Sequence, residues 1–373
     1  MLGIPDFPSI NQPMLMDGLA RPLQIEVLIN SPGPHDQVRV REPFGALQRQ
    51  GVDCRLHERP FRFSQCIRPH SLVIWQRPVP ESRQRQWEHL QWLRERGCLL
   101  LTEWDDHPDL FPPTVGQQLE ATAMAPLELC HAIHTSSGQL FHHFWTINPL
   151  AVVLDNQVAH IPALNLDKHQ SQTVRVFIGN QNREGEHRHL QSELSQWLRH
   201  TPELELVIVG DPQLATNLAS TQVRSYGRLS YRRYRELMRS CHIALLPLRT
   251  KRANACKTPI KWLECAAESV AVIAGPELYG QVLGGAHEGL VDSLDAVVPR
   301  ARILAQDLAT RCHQVMAAHG RIRGQWSLQQ HLPYRLWLYQ QLWRRRQDVD
   351  AVTVRRLQRL GTLPPMETSD FQA

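Results

Sequence analysis

The stretch Arg249–Gly280 reads RTKRANACKTPIKWLECAAESVAVIAGPELYG, and its reading decides the fold of the second half of the chain. The apolar run Ile243–Leu248 before it predicts a buried strand. A basic loop follows. A helix is expected with Pro259 near its start and Glu264 one turn further on, since proline suits the first turn of a helix. Ala271–Ala274 is the next expected strand. Lys257, Lys261 and Glu264 therefore stand around a strand–loop–helix junction. Free backbone N–H groups and the helix dipole make such a junction a favourable place for an anion.

Upstream of this stretch the same alternation recurs. Val174–Ile178 reads as a strand, and Gly179–Gly185 as a polar loop. His187–Arg199 is an expected helix, Glu205–Val209 a strand ending in Gly210-Asp211-Pro212, Val223–Tyr226 a short strand and Tyr231–Ser240 a helix. The first half alternates too. Leu23–Asn30, Val52–Leu56, Ser71–Trp75, Cys98–Leu101, Ala132–His134 and Ala151–Leu154 are expected strands, with an extended piece at Val158–Ile161. Arg39–Gln50, Glu81–Arg96 and Gln117–Leu129 are expected helices, and Ser136 or Ser137 is placed to cap another. Beyond residue 300, helices are expected at Arg302–His319, Pro333–Arg346 and Val352–Leu360. In the tail helices, tryptophans are expected to pack and arginines to stay wet, with a membrane-surface role as the alternative.

Two strand–helix series, each long enough for its own sheet, predict an α/β chain of two Rossmann-like domains facing a cleft. The expected boundaries are a flexible tail at 1–22, a first domain at 23–167, a second at 168–330, C-terminal helices at 331–360 and a disordered tail at 361–373. The length of 373 residues suits two cores. A net charge of +5 with dispersed basic residues allows an anionic substrate or a membrane surface without demanding nucleic acid. Eight cysteines without a Cys-x-x-Cys pair argue against a zinc ribbon and for reduced thiols. Residues 1–20 lack the pattern of a signal peptide, so the expected location is the cytoplasm, with possible peripheral contact at the inner membrane face. Serine-nucleophile, P-loop and dinucleotide fingerprints are absent.

The order of motifs in the second half resembles the nucleotide-sugar domain of glycosyltransferase family 4 (group 1 type), enzymes of the GT-B fold. Carrying the resemblance are Val176-Phe177-Ile178-Gly179, Leu206 to Asp211, Tyr226-Gly227-Arg228-Leu229, Tyr234, Ala244 to Leu248, and Lys257, Lys261, Glu264, Ala266-Ala267 with Tyr279 after them. The first half is similar at Ile74 to Pro78, Trp104-Asp105-Asp106, Ser136-Ser137 and Asn156. The resemblance spans about residues 25–330 and rests on order and spacing rather than on any single motif. One departure stands out: where the family carries two glutamates eight positions apart, Glu264 fills the second place and Cys256 the first.

The resemblance implies a hexosyltransferase-type enzyme of polysaccharide biosynthesis. It would move a sugar from a UDP- or GDP-sugar to an acceptor hydroxyl, with retention of configuration and no cofactor or bound metal. The acceptor would be a glycan, a lipid-linked molecule or a small molecule, and last helices that cross back to the first domain are expected. Lys257 and Lys261 would neutralise the donor diphosphate and Glu264 would accept from the ribose hydroxyls, with Gly179, Arg183, Gly210 and Asp211 on the donor side. The bland alternatives are solvated helix-start lysines and a salt bridge for Glu264. Gln76, Arg77 and His107 would face the acceptor. Asp105 and Asp106 follow a strand and, with Lys261 and Glu264, are the candidate catalytic residues; the aspartates would contact the acceptor hydroxyl or cap the following turn, in preference to binding a divalent cation. As neighbours in an extended chain, they are expected to point to opposite sides. A GT-B-like binding protein without catalysis, or a sugar-nucleotide epimerase, would fit the same features.

Overall fold

The computed structural model describes residues 22–30, 32–111, 117, 124–179, 184–249, 251–283 and 289–361. They form two parallel sheets. The first runs β1 (Gln24–Ile29), β2 (Asp53–Glu58), β3 (Leu72–Gln76), β4 (Leu99–Trp104), β5 (Ala132–Thr135) and β6 (Ala151–Val153), in the order β2-β1-β3-β4-β5-β6. The second runs β7 (Val174–Gly179), β8 (Leu204–Val209), β9 (Val223–Tyr226), β10 (Ile243–Leu246) and β11 (Ala271–Ala274), in the order β11-β10-β7-β8-β9. Every pair of neighbours is parallel. Such strands are covered on both faces, and β1, β3, β4, β8 and β10 are buried almost throughout.

In the first half, α1 (Glu42–Arg49), α2 (Arg83–Glu95) and α3 (Gly138–Phe144) flank the sheet. Ser137 caps α3, its Oγ accepting from the Leu140 N–H at 3.2 Å. The helix expected from Arg39 begins instead with a π-helical turn, Gln37–Arg41. Pro43 has no N–H to give the Arg39 carbonyl, so the regular i→i−4 ladder cannot pass through it. In the second half, α4 (Glu184–His200), α5 (Pro212–Leu218) and α6 (Tyr231–Arg239) are followed by the short α7 (Arg252–Ala255) and by α8 (Ile260–Ala267). After β11 come α9 (Pro276–Leu283), α10 (Val297–Gln306), α11 (Leu308–Gln325), α12 (Leu328–Arg344) and α13 (Arg346–Arg359).

Several boundaries differ from the expected ones. The single helix expected at Arg302–His319 is two, because Asp307 adopts an extended conformation and caps α11 through the Thr310 N–H at 2.9 Å. α12 starts before Pro333 and carries it inside the helix. Val158 makes a single bridge to Ser327 rather than part of a strand. Of the helix expected at Gln117–Leu129, the turn Ala125–Glu128 is helical and most of the remainder lies outside the described residues. The expected tails at 1–22 and 361–373 lie almost wholly outside them too.

α12 and α13 return to the first half. Leu328, Leu332, Tyr339, Leu342, Trp343 and Val349 join the apolar cluster built on β1, β3 and α1. Contrary to expectation, Trp337 is exposed while Arg335 is buried. The reason is a polar seam beneath α12. There Arg335 donates to Gln157 Oε1 at 3.1 Å, and His134 Nε2 and the Tyr339 hydroxyl lie 2.9 Å apart. No helix among the described residues is long and apolar enough to cross a membrane.

Arg39 lies at the centre of that seam. Its guanidinium donates to Glu103 Oε1 at 2.7 Å, to the Leu154 carbonyl at 2.6 Å and to Asn156 Oδ1 at 3.0 Å, and it lies 3.3 Å from His134 Nδ1. Burial raises Glu103 to about 7 even against this cation. An Arg39→Met variant is expected to lose about 3–5 kcal/mol of stability, because Glu103 is left as a buried, unpaired carboxylate. The loss, read from urea midpoints, should be larger at pH 8 than at pH 6, where Glu103 takes up a proton.

Candidate functional site

Parallel sheets bind ligands beyond the carboxyl ends of their strands, where the strand order reverses. In the second sheet the reversal lies between β7 and β10; in the first it lies between β1 and β3. The residues singled out from the sequence gather at both places.

At the second sheet, β10 leads through α7 into α8, whose N-terminus faces the end of β7. Lys261, in the first turn of α8, donates from Nζ to the Gly179 carbonyl at 3.4 Å. Gly179 is tightly enclosed: a Cβ there would stand 2.8 Å from the Phe177 ring and 3.0 Å from the Tyr234 hydroxyl. A lysine at a helix N-terminus opposes the helix dipole, an arrangement that an incoming anion relieves. Glu264, one turn along and 4% exposed, is raised by burial, against Arg235, a hydrogen bond from Tyr231, and Lys261. Of the expected salt bridge to Glu264, the nearby charges of Arg235 and Lys261 supply only an electrostatic counterpart.

At the first sheet, Asn30 bridges β1 and β3. Its N–H donates to Gln76 Oε1 at 3.1 Å, and its Nδ2 donates to the Arg77 carbonyl at 2.8 Å. Gln76 is fully buried. Arg77 has a left-handed backbone, φ 43, which costs a side-chain-bearing residue energy. That turn aims its guanidinium at the end of β4, where Nε donates to Asp105 at 2.6 Å and Nη2 to Asp106 at 2.8 Å. The two aspartates do not point to opposite sides: the chain leaves the sheet after Trp104, and Arg77 gathers both carboxylates. Burial pushes both upward. Arg77 and neighbouring cations hold Asp105 below its ordinary value, whereas Asp106 stays raised, with the charge of Asp105 adding to burial.

The loop between α7 and α8 joins the two sites. The Ser137 hydroxyl donates to the Cys256 carbonyl at 2.8 Å, and Asn156 Nδ2 donates to Thr258 Oγ1 at 2.7 Å. The Cys256 side chain is buried in the apolar cluster of the first half, and burial raises its thiol. Lys257, just beyond, acts electrostatically on Asp106. The two lysines therefore have different neighbours: Lys257 acts on Asp106 of the first half, and Lys261 donates to the end of β7. They lie before and after the start of α8, so the helix carries them apart.

Other expected site residues fall differently. Gly210 takes φ 81 after β8, a turn that suits glycine. Asp211 faces inward: one oxygen caps α5 through the Leu214 N–H at 2.9 Å, and the other lies 2.8 Å from His187 Nδ1. His107 is buried, its Nδ1 accepting from the Asp109 N–H at 3.2 Å, with its ring 4.0 Å from that of His143. Arg183 lies outside the described residues. Sequence reasoning missed Asn30, Arg39, Glu42, Tyr231 and Arg235. Tyr231 and Arg235 share a helix face at i, i+4, a spacing that was available, but nothing local ties them to Glu264.

No family model matches the chain, and no curated protein matches it. Solved structures do. An alpha-glucosyltransferase in complex with UDP-glucose and DNA containing an abasic site aligns at 9% identity over 86% of this chain and 100% of its own, with a TM-score of 0.62. An alpha,alpha-trehalose-phosphate synthase (UDP-forming) from Burkholderia vietnamiensis aligns at 10% identity over 86% and 100%, with a TM-score of 0.58. A GtfA/B complex aligns at 12% identity over 75% of this chain, which spans 59% of that chain's length, with a TM-score of 0.50. At such identities the likeness is one of fold. The chain has the GT-B fold, two parallel α/β sheets with their strand ends turned to a common seam.

Arg77→Met would leave two half-buried carboxylates without their shared cation, at a cost of about 1–3 kcal/mol near neutral pH. Because Asp105 is depressed in the folded chain, its stabilising contribution is present above the unfolded carboxylate pKa and is lost as pH falls through the folded one. The gap between parent and variant in chemical unfolding should therefore be widest near pH 7 and narrow below about pH 4.

Proposed function

We propose that the chain is a glycosyltransferase, related to family 4, which moves a sugar from a nucleotide-sugar donor to an acceptor hydroxyl in the seam between its two sheets. The observation that carries this reading is the placement of Lys261 and Glu264 together at the switch point of the second sheet. Lys261 would meet the diphosphate. As the nucleotide departs, negative charge grows on the bridging oxygen, and a fixed cation there stabilises the transition state more than the ground state. Glu264 would accept from the ribose. Lys257, beside Asp106, would bring a second cation to the sugar end of the donor. The names of similarly folded proteins, one in complex with UDP-glucose and one UDP-forming, support a UDP-sugar as the first donor to try.

On the acceptor side, Arg77, Asp105 and Asp106 would face the incoming hydroxyl. Asp105, held down by Arg77, is a poor base. Asp106, which is raised, would be the stronger base of the two, and the retaining course, in which the departing phosphate takes the acceptor proton, is proposed from the family resemblance. A glycan, a lipid-linked molecule or a small molecule would supply the hydroxyl, in a cytoplasmic enzyme of polysaccharide biosynthesis. A second reading, a nucleotide-sugar-binding protein without transfer, is favoured by one feature: Cys256 lies buried against the first half where the family carries a glutamate.

Calorimetry with UDP- and GDP-sugars tests the site. The parent should bind one class, Glu264→Ala about tenfold more weakly, and Lys261→Ala should lower kcat/KM by about 10²–10³-fold. Parent-like binding by both variants would move the site elsewhere. Binding without turnover, across acceptors that include water, would select the second reading.

A further inference from the structure

Residues 256–258 belong to the second half by sequence, yet the first half holds them. The Ser137 hydroxyl donates to the Cys256 carbonyl at 2.8 Å, and Asn156 Nδ2 donates to Thr258 Oγ1 at 2.7 Å. The Cys256 side chain, 4% exposed, packs in the apolar cluster of the first half. Lys257 stands between the two bonds. Its own N–H donates to the Asn254 carbonyl at 3.1 Å, in the turn that ends α7. Asn254 is buried, and its Nδ2 donates to the Arg249 carbonyl at 2.9 Å. Beyond Lys257 the chain has little freedom, because Thr258 precedes Pro259 and a residue before proline is pushed toward extended conformations. The backbone is thus fixed on both sides of this lysine.

The two anchors are themselves held by the first half. Ser137 follows β5 and caps α3: its Oγ accepts from the Leu140 N–H at 3.2 Å, which leaves its proton for the Cys256 carbonyl. Asn156 follows β6 and is 7% exposed. Its Oδ1 accepts from Arg39 Nη1 at 3.0 Å. An arginine can only donate, so the amide oxygen must face it and the amide nitrogen is turned to Thr258. β5 and β6 are neighbours in the sheet. Both anchors therefore stand at the carboxyl ends of adjacent parallel strands, the end at which such sheets receive ligands. Side chains locked by their own partners in this way can set the place of a third group.

We propose that Ser137 and Asn156 are positioning residues for the donor: by holding Cys256 and Thr258 they fix the place of Lys257 in the seam, and with it the second cation that meets the phosphate next to the donor sugar. The inference rests on the donor-site reading above and adds the groups, contributed by the other half of the chain, that place this lysine. Ser137 and Asn156 act through the loop and are not themselves catalytic.

The test uses UDP and GDP as calorimetric probes, with thermal unfolding to show that each variant is folded. Thr258→Val keeps the shape of the side chain and removes the oxygen that Asn156 holds, without disturbing the bond of Asn156 to Arg39. Ser137→Ala removes the other bond, and Ser137→Thr keeps a hydroxyl there. The loss variants are made alone and together with Lys257→Ala. Lys257→Ala should weaken the nucleotide that the parent binds by about tenfold, and Ser137→Ala and Thr258→Val by about threefold each. Ser137→Thr should bind like the parent. Combined with Lys257→Ala, neither loss variant should weaken binding further, because the group it places is gone. A merely structural role would instead add its full penalty to that of Lys257→Ala. That outcome, or parent-like binding by folded Ser137→Ala and Thr258→Val, overturns the positioning role. Parent-like binding by Lys257→Ala overturns it too, and leaves the donor site standing where Lys261→Ala and Glu264→Ala bind weakly. A parent that binds neither nucleotide overturns both readings.

Discussion

A buried guanidinium at the strand ends of the first sheet ties the molecule together. Parallel strands finish with polar groups that water cannot reach once helices cover both faces, and each needs a partner. Arg39 answers for β4 through Glu103, for β5 through His134, and for the exit of β6 through the Leu154 carbonyl and Asn156. Asn156, which accepts from Arg39, donates in turn to Thr258. The core of one half therefore reaches the loop of the other in two steps. Tyr339 and Arg335 close the network from above, which is why the returning helix α12 buries an arginine and leaves Trp337 in solvent.

Among the described residues, directional bonds cross the seam. Ser137 and Asn156 hold the backbone and side chain of the loop at Cys256 and Thr258, and the Cys256 side chain adds an apolar foot in the first half. Such bonds are individually modest and exchange readily with water. The same arrangement separates the charges. Lys261 remains with β7, and Lys257 acts on Asp106. Arg77, held in a left-handed turn, pairs with Asp105 and Asp106 on the other side.

What a side chain contacts depends on residues far away in the chain, and there the sequence falls silent. Asp211 follows a strand and a glycine, which suggested a ligand contact, but His187 and the start of α5 occupy its oxygens. Asp105 and Asp106 follow the alternation of an extended chain only while the strand lasts. Once the backbone leaves the sheet, an arginine 28 residues away from Asp105 decides their direction. The π-turn at Gln37–Arg41 was legible in principle, since Pro43 removes one donor, yet its consequence is tertiary: it places Arg39 over the ends of three strands.

By itself the sequence determined the two strand–helix series, the parallel sheets they imply, the helix that begins beside Pro259, and the presence of Lys261 and Glu264 on its first turns. Those features follow from local periodicity and from proline and glycine chemistry, which act within a few residues. Only the tertiary structure decided that Lys257 and Lys261 part company, that Cys256 is an apolar foot, and that Tyr231 and Arg235 attend Glu264. Each of these depends on which elements pack against one another, and burial then fixes which charges are paired and which are raised or lowered. The stretch Arg249–Gly280 holds the candidate donor-site residues, and the first sheet, the returning helix and α6 decide what surrounds them.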